Sequence, residues 1–361
     1  MLNYNKNIFK NKTILITGGT GTLGRNFIDY VTKNLPFKKI IIFSRDEQKH
    51  FKLQSIFLDK RIRFFIGDIR DYDRLDFAMK DVDFVLHSAA LKHVGLSEYN
   101  PMECIKTNVF GTENVVRASI NNSVSHALLV SSDKAVSPVN LYGSTKLMAE
   151  KIFINANNLI GKRDLRFSVS RYGNVAGSEG SVLQTFNKLI TSGQTNLPIT
   201  DPKMTRFWVD IEQCVGFVMG CFSRMQGGEI YIPKIPSIKI TDLAKAFGCK
   251  YTVKGLKNME KIDELMFNEE EARNIVEFSK FFLIKPKLEH YTGIITGKYK
   301  NISEKIVSSE YRITSMNEKG KKLKTYYNFS SKNNYFLSVD EIKKQNKSIS
   351  SRIAAKKFIF L

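Results

Sequence analysis

Residues 13–24 read Thr-Ile-Leu-Ile-Thr-Gly-Gly-Thr-Gly-Thr-Leu-Gly. A short apolar run enters a glycine-rich turn, and the turn opens a segment with helical spacing. Glycines allow a tight turn and let the backbone approach a pyrophosphate. The helix N-terminus adds N–H donors and positive dipole. The string fits G-x-G-x-x-G through Gly19, Gly21 and Gly24, and G-x-x-G-x-x-G through Gly18, Gly21 and Gly24. Alone, such a motif marks any tight turn. On a strand–turn–helix it predicts a dinucleotide site, built here on Gly18, Thr20, Gly21, Thr22, Leu23 and Gly24.

Outward from this stretch, strand-like runs recur at 39–43, 63–66, 83–87, 127–131 and 166–171. Helical spacing fills 22–34, 46–58, 71–79, 101–121 and 141–159. This alternation predicts a Rossmann-like, doubly wound parallel α/β sheet. Beyond residue 175 the rhythm turns irregular, as expected of a smaller C-terminal substrate-binding lobe over the carboxyl ends of the strands. The expected division is 1–175 for the dinucleotide-binding domain, with some later segments returning to it, 176–290 for the lobe, and 291–361 for a basic extension. Ser338 and Glu341 form an S-x-x-E capping box, which predicts a last helix over 339–356.

Of the 361 residues, 42% are hydrophobic and 25% charged, which excludes wholesale disorder. No apolar run approaches the roughly 20 residues of a membrane span. The start lacks the apolar core of a signal peptide, so a cytoplasmic location is expected. Cys104, Cys214, Cys221 and Cys249 form no C-x-x-C pair, and neither a disulfide framework nor a metal site is expected. The net charge is +21, and residues 281–361 hold 17 Lys/Arg against 6 Asp/Glu. No DNA- or RNA-reading motif accompanies that charge, so no nucleic-acid partner is expected.

The second strand ends Phe43-Ser44-Arg45-Asp46. An NAD site usually carries an acidic residue there for the ribose 2′-OH. Ser44 and Arg45, with Lys49 a helical turn on, suit a 2′-phosphate instead, so NADP is favoured over NAD. Asp68 and Ile69 follow the third strand and could flank the adenine, although Asp68 could equally cap the next helix.

Ser131-Ser132-Asp133-Lys134 leaves the fifth strand, and Tyr142-x-x-x-Lys146 opens the next helix. Tyr142 and Lys146 share a helix face. A free tyrosine titrates near about 10, and a neighbouring ammonium should lower that value enough for base catalysis. Spaced this way after a glycine-rich loop, the pair is the signature of the short-chain dehydrogenase/reductase superfamily. Asp133 and Lys134 add a proton donor and a proton acceptor. For those roles Lys134 needs a lowered pKa and Asp133 a raised one.

The stretch 131–150, SSDKAVSPVNLYGSTKLMAE, resembles the inverting UDP-N-acetylglucosamine 4,6-dehydratases of polysaccharide biosynthesis. So do IFSRDE (42–47), AALKHV (89–94), EYNPMECIKTNVFG (98–111), RYGNV (171–175), MTRFW (204–208) and GEIYIPKIPSIKITDLAKAF (228–247). The retaining relatives carry Met at the position of Tyr142.

The resemblance implies C4 oxidation with Tyr142 as base, C5 deprotonation by Lys134, and C6 hydroxyl departure assisted by Asp133. Hydride then returns to C6, and C5 is inverted. The product would be a UDP-2-acetamido-2,6-dideoxy-L-arabino-hexos-4-ulose for surface glycan or nonulosonic acid synthesis. The resemblance also implies cofactor contacts at Asp46, Ser88, Ala89, Lys92, Lys146 and Val175. Substrate contacts fall at Lys92, Asn174, Arg206, Lys257 and Glu260, with Arg206 facing the phosphates. A homo-oligomer pairing the 101–121 and 141–159 helices is implied too.

Three positions depart from the family pattern. R-P-G-E-K-L-H-E becomes Lys257-Asn258-Met259-Glu260-Lys261-Ile262-Asp263-Glu264, G-S-R-G-S becomes Gly177-Ser178-Glu179-Gly180-Ser181, and Val-Pro becomes Val94-Gly95. Two other readings stay open: a nucleotide-sugar 4-epimerase, which needs Tyr142 and Lys146 but not Asp133 and Lys134, and a non-catalytic dinucleotide-binding scaffold.

Overall fold

Strand β1 (Thr13–Thr17) is buried along its whole length. It pairs in parallel with β2 (Lys39–Ser44) on one edge and β4 (Phe84–His87) on the other. That burial explains the unbroken apolar run Ile14-Leu15-Ile16. The computed structural model describes residues 2–256, 259–286, 310–313 and 316–355. β3 (Ile62–Ile66) extends the sheet beyond β2, while β5 (His126–Ser132) and β6 (Arg166–Tyr172) extend it beyond β4. The order 3-2-1-4-5-6 reverses direction between β1 and β4, where doubly wound sheets bind ligands.

The intervening helices are α1 (Thr22–Asn34), α2 (Glu47–Gln54), α3 (Tyr72–Ala78), α4 (Val94–Tyr99), α5 (Pro101–Ile105), α6 (Gly111–Asn121) and α7 (Leu141–Asn155). The expected 101–121 helix is therefore not uniform. A π-helical segment at Lys106–Phe110 joins α5 to α6 and buries Thr107, Asn108 and Val109. The expected helices at 46–58 and 141–159 end early, at Gln54 and Asn155.

The later chain divides between two layers. β7 (Asn174–Val175), α8 (Val182–Thr191), β8 (Asn196–Ile199) and β9 (Thr205–Val209) form the lobe, followed by α9 (Ile211–Phe222), which packs on α1. β10 (Ile230–Pro233) joins the main sheet beside β6. β11 (Ser237–Lys239), α10 (Ile240–Ala246) and β12 (Lys250–Val253) return to the lobe. β13 (Leu265–Phe267) and α11 (Glu269–Ala272) lead to β14 (Ile275–Glu277) and β15 (Phe281–Ile284). These two, with β16 (Glu310–Ile313) and β17 (Glu318–Lys322), complete an eleven-stranded sheet as an antiparallel edge. β18 (Phe329–Ser330) pairs with β13.

The described part of the basic extension thus joins both layers. Its last helix, α12 (Val339–Ala355), starts at the expected box: Ser338 N–H donates to Glu341 at 2.8 Å, and Glu341 N–H donates to Ser338 Oγ at 3.2 Å. Ile342 and Ile349 of α12 are buried in the lobe core with Leu183, Phe186, Trp208 and Leu243. The main core is tied together by Phe9, Phe27, Phe84 and Phe222, whose rings meet edge-on or tilted. Replacing one such ring by Ala costs about 3–5 kcal/mol. Among the described residues, no helix is long and apolar enough to cross a membrane.

Candidate active site

A cleft of about 580 Å³ runs along the carboxyl ends of the parallel strands. At one end Gly18 adopts φ +65° and its N–H donates to the Phe43 carbonyl at 2.8 Å. A Cβ on Gly18 would lie 2.8 Å from backbone atoms of Ala89, so only glycine leaves this passage open. Helix α1 follows with Gly21 as its N-cap and no side-chain cap. Its first N–H groups are therefore left for an anion.

The cleft is lined by Gly18, Thr20, Gly21, Thr22 and Leu23, then Ser44, Arg45, Asp46 and Lys49, then Asp68, Ile69, Ser88, Ala89, Lys92 and Val175. Gly24 does not line it and packs behind the turn on Gly19. Thr20 and Ser44 hydroxyls meet at 2.8 Å. Asp46 caps α2 by accepting from the Lys49 N–H at 2.9 Å. Asp68 accepts from the Arg70 guanidinium and lies 3.5 Å from Arg45. The open turn, the uncapped helix and the cations beyond β2 fit a dinucleotide.

At the other end Ser132 terminates β5, and Asp133–Ala135 form a single 3-10 turn. Asn140 caps α7 by accepting from the Gly143 N–H at 2.8 Å. A Cβ on Gly143 would fall 2.3 Å from the Lys134 carbonyl, so this glycine lets the helix start directly against the Asp133–Lys134 turn. The result brings Asp133, Lys134, Tyr142 and Lys146 to one end of the cleft. Lys134 Nζ lies 3.2 Å from Asp133 and 3.0 Å from Glu264, while Lys146 Nζ donates to the Val130 carbonyl at 2.7 Å. Tyr142 and Ser132 line the same end of the cleft.

The proton affinities correct two of the expectations. Burial would lower Lys134, but Asp133 and Glu264 outweigh it and hold the ammonium above the ordinary lysine range. Burial pushes Tyr142 up to about 12, against the opposing pull of Lys134. Lys146, buried beneath the same helix turn, is lowered to about 8, with Glu150 opposing. Asp133 is raised by burial despite Lys134, in the direction expected. Burial also pushes Glu264 up, but Lys134 and Arg206 outweigh it and keep the carboxyl below its usual value.

Four buried atoms in the cleft find no partner among the described residues: Thr107 Oγ1, Ser131 Oγ, Asp133 Oδ2 and Asn174 Oδ1. Unmatched buried polar atoms of this kind mark a place for ligand groups. Arg206 is placed differently from expectation. Its guanidinium donates to the carbonyls of Thr205, Lys261 and Ile262, and it does not line the cleft. Glu260 does not line the cleft either, and Lys257 lies outside the described residues.

Two residues were not singled out from the sequence. Glu264, 2% exposed, reaches Lys134 from the lobe. Its only signal was an acidic residue at the end of the run 257–264, where Glu is retained, just before an apolar strand. Asn108, on the π-helical segment, holds the Leu91 N–H at 2.8 Å and donates to the Leu91 carbonyl at 2.9 Å and to Thr145 at 3.0 Å. It thereby ties the loop of Lys92 to the helix of Tyr142 and Lys146. Such π segments recur at functional sites.

The profile of the polysaccharide biosynthesis protein family matches residues 14–286. The chain belongs to this family. It is 47% identical over 329 residues to the inverting UDP-N-acetylglucosamine 4,6-dehydratase of Campylobacter jejuni strain 81-176, covering 91% of this chain and 94% of that one. A UDP-glucose 4-epimerase of Rickettsia akari is 35% identical, covering 93% and 96%. Among solved structures, Pen from Bacillus thuringiensis superposes with a TM-score of 0.82 at 34% identity, covering 94% of this family member and 98% of Pen. The dTDP-glucose 4,6-dehydratase DesIV of Streptomyces venezuelae shares the fold at TM-score 0.63 and 20% identity, covering 69% and 86%.

Proposed function

We propose that this chain is a UDP-N-acetylglucosamine 4,6-dehydratase that inverts C5. The observation that carries the reading is the ion pair Asp133–Lys134 beside Tyr142 in a buried cleft end. The 47% identity to the Campylobacter enzyme supports the same reaction.

The nicotinamide cofactor, when bound, supplies hydride acceptance and donation. Gly18, Thr20, Gly21, Thr22 and Leu23 would hold its pyrophosphate, and Lys146 its ribose. Ser44, Arg45 and Lys49 favour NADP. The chain's own side chains manage the protons. Tyr142 takes the proton of the C4 hydroxyl, and Lys134 is the cation already present that favours the tyrosinate. One proton transfer from the Lys134 ammonium to the Asp133 carboxylate, across 3.2 Å, makes an amine base and a carboxylic acid together. Lys134 then takes the C5 proton, and Asp133 protonates the C6 hydroxyl, which leaves as water. The ammonium–carboxylate pair is thereby restored. Tyr142, carrying the C4 proton, returns one to C5 from the other face. Lys92 and Asn174 would contact the nucleotide sugar. Arg206 would act through the segment 261–264 that it braces.

Leu96, Tyr99, Met102, Phe110 and Met148 are exposed on neighbouring helices α4 to α7, which supports a homo-oligomer assembled through that face.

The test is incubation of the purified protein with UDP-N-acetylglucosamine and mass analysis of the product. Loss of one water is expected. A product of unchanged mass with inverted C4 would replace this reading by an epimerase.

A further inference from the structure

The loop between β7 and α8 bridges three elements around the cofactor end of the cleft. Glu179 N–H donates to Thr22 Oγ1 on α1 at 3.2 Å, and Lys92 Nζ donates to the Glu179 carbonyl. The Glu179 carboxylate accepts from Lys49 Nζ on α2 at 2.9 and 3.1 Å. Arg25, buried and with Nε unpartnered, lies close enough to act on the same carboxylate. Lys49, Lys92 and Arg25 are a cation cluster of the kind that receives phosphates, and a side chain of the protein is its anion. A fourth cation of the region, Arg45, is also faced by a carboxylate, that of Asp68.

We propose that Glu179 competes with the cofactor's 2′-phosphate for Lys49, and is a specificity-determining residue that narrows the preference for NADP over NAD. The inference rests on the dinucleotide reading of the cleft. An NADP 2′-phosphate near Lys49 must displace or share the Glu179 contact, with repulsion between the two anions. NAD brings no such group and leaves the pair intact. The Lys49 and Glu179 side chains are 32% and 50% exposed, so the contact is of the exchangeable kind.

The experiment measures the dissociation constants of NADP+ and NAD+ by calorimetry, using the full chain freed of bound nucleotide. Glu179→Gln should raise the NADP/NAD affinity ratio by about fivefold, the ceiling for an exposed ion pair, with NAD affinity unchanged. Adding Lys49→Met should erase that gain. An unchanged ratio in Glu179→Gln, or a gain that survives Lys49→Met, would overturn the proposal while leaving the cofactor site intact. Failure of the parent protein to bind either dinucleotide would instead overturn the reading of the cleft.

Discussion

The two ends of the cleft handle charge in opposite ways. At the cofactor end, Lys49 and Arg45 are paired with Glu179 and Asp68 in contacts open to solvent. At the chemical end, Lys134 is fixed between Asp133 and Glu264, whose side chains are 1% and 3% exposed. Exposed pairs are worth at most about 1 kcal/mol and exchange partners readily, whereas breaking a buried one costs about 3–5 kcal/mol. One end is therefore suited to admit a phosphorylated ligand, and the other to hold acid and base in place.

The largest effect should come from the buried end. Lys134→Ala should lower dehydration by about 100- to 10,000-fold, as expected when a general base is removed, with dinucleotide binding retained. Near-normal turnover by a folded variant would remove Lys134 from the mechanism. Next is the brace behind α7. Arg171, fully buried, donates to Glu150 at 2.7 and 3.0 Å and to Glu271 at 2.9 Å. Arg171→Met should destabilise the fold by about 3–5 kcal/mol in urea titration, because two carboxylates lose their cation.

The same brace carries a pH signature. Burial raises Glu271, but Arg171 outweighs it and holds the carboxyl below its ordinary value. Its stabilising share is therefore complete above that ordinary value and is lost as pH falls through the depressed one. Glu271→Gln should flatten the acid slope of stability. A slope identical to that of the parent would show that Glu271 takes no part.

Glu264→Gln should act more subtly. Removing this charge lowers the proton affinity of the Asp133–Lys134 pair, so the acid limb of kcat/KM, set by a second proton on that pair, should move to lower pH by about one to three units. A merely structural residue would depress the rate at every pH without moving the limb. The smallest change is the fivefold cofactor preference expected of Glu179→Gln.

The cofactor end was legible because strand, turn and helix are contiguous over Thr13–Gly24. Asp133, Lys134, Tyr142 and Lys146 were legible because they fall within 14 residues of one another on a strand end and the following helix. Glu264 was not, since it is brought to Lys134 from 130 residues away by packing of the lobe. The proton affinities of Lys134 and Tyr142 ran against expectation for the same reason. Burial pushes Tyr142 up, and Asp133 with the distant Glu264 holds Lys134 up against burial; neither the burial nor Glu264 is visible in a local motif. Arg206 looked like a phosphate ligand by residue type, but folding spends its donors on three backbone carbonyls.

The central claim is elimination at C5–C6 with inversion, driven by Lys134, Asp133 and Tyr142. The most direct measurement is turnover of UDP-N-acetylglucosamine in heavy water, followed by proton NMR of the 4-keto product. The account predicts loss of water, deuterium at C5 and the L configuration there. A dehydrated product that keeps the D configuration at C5 would contradict it.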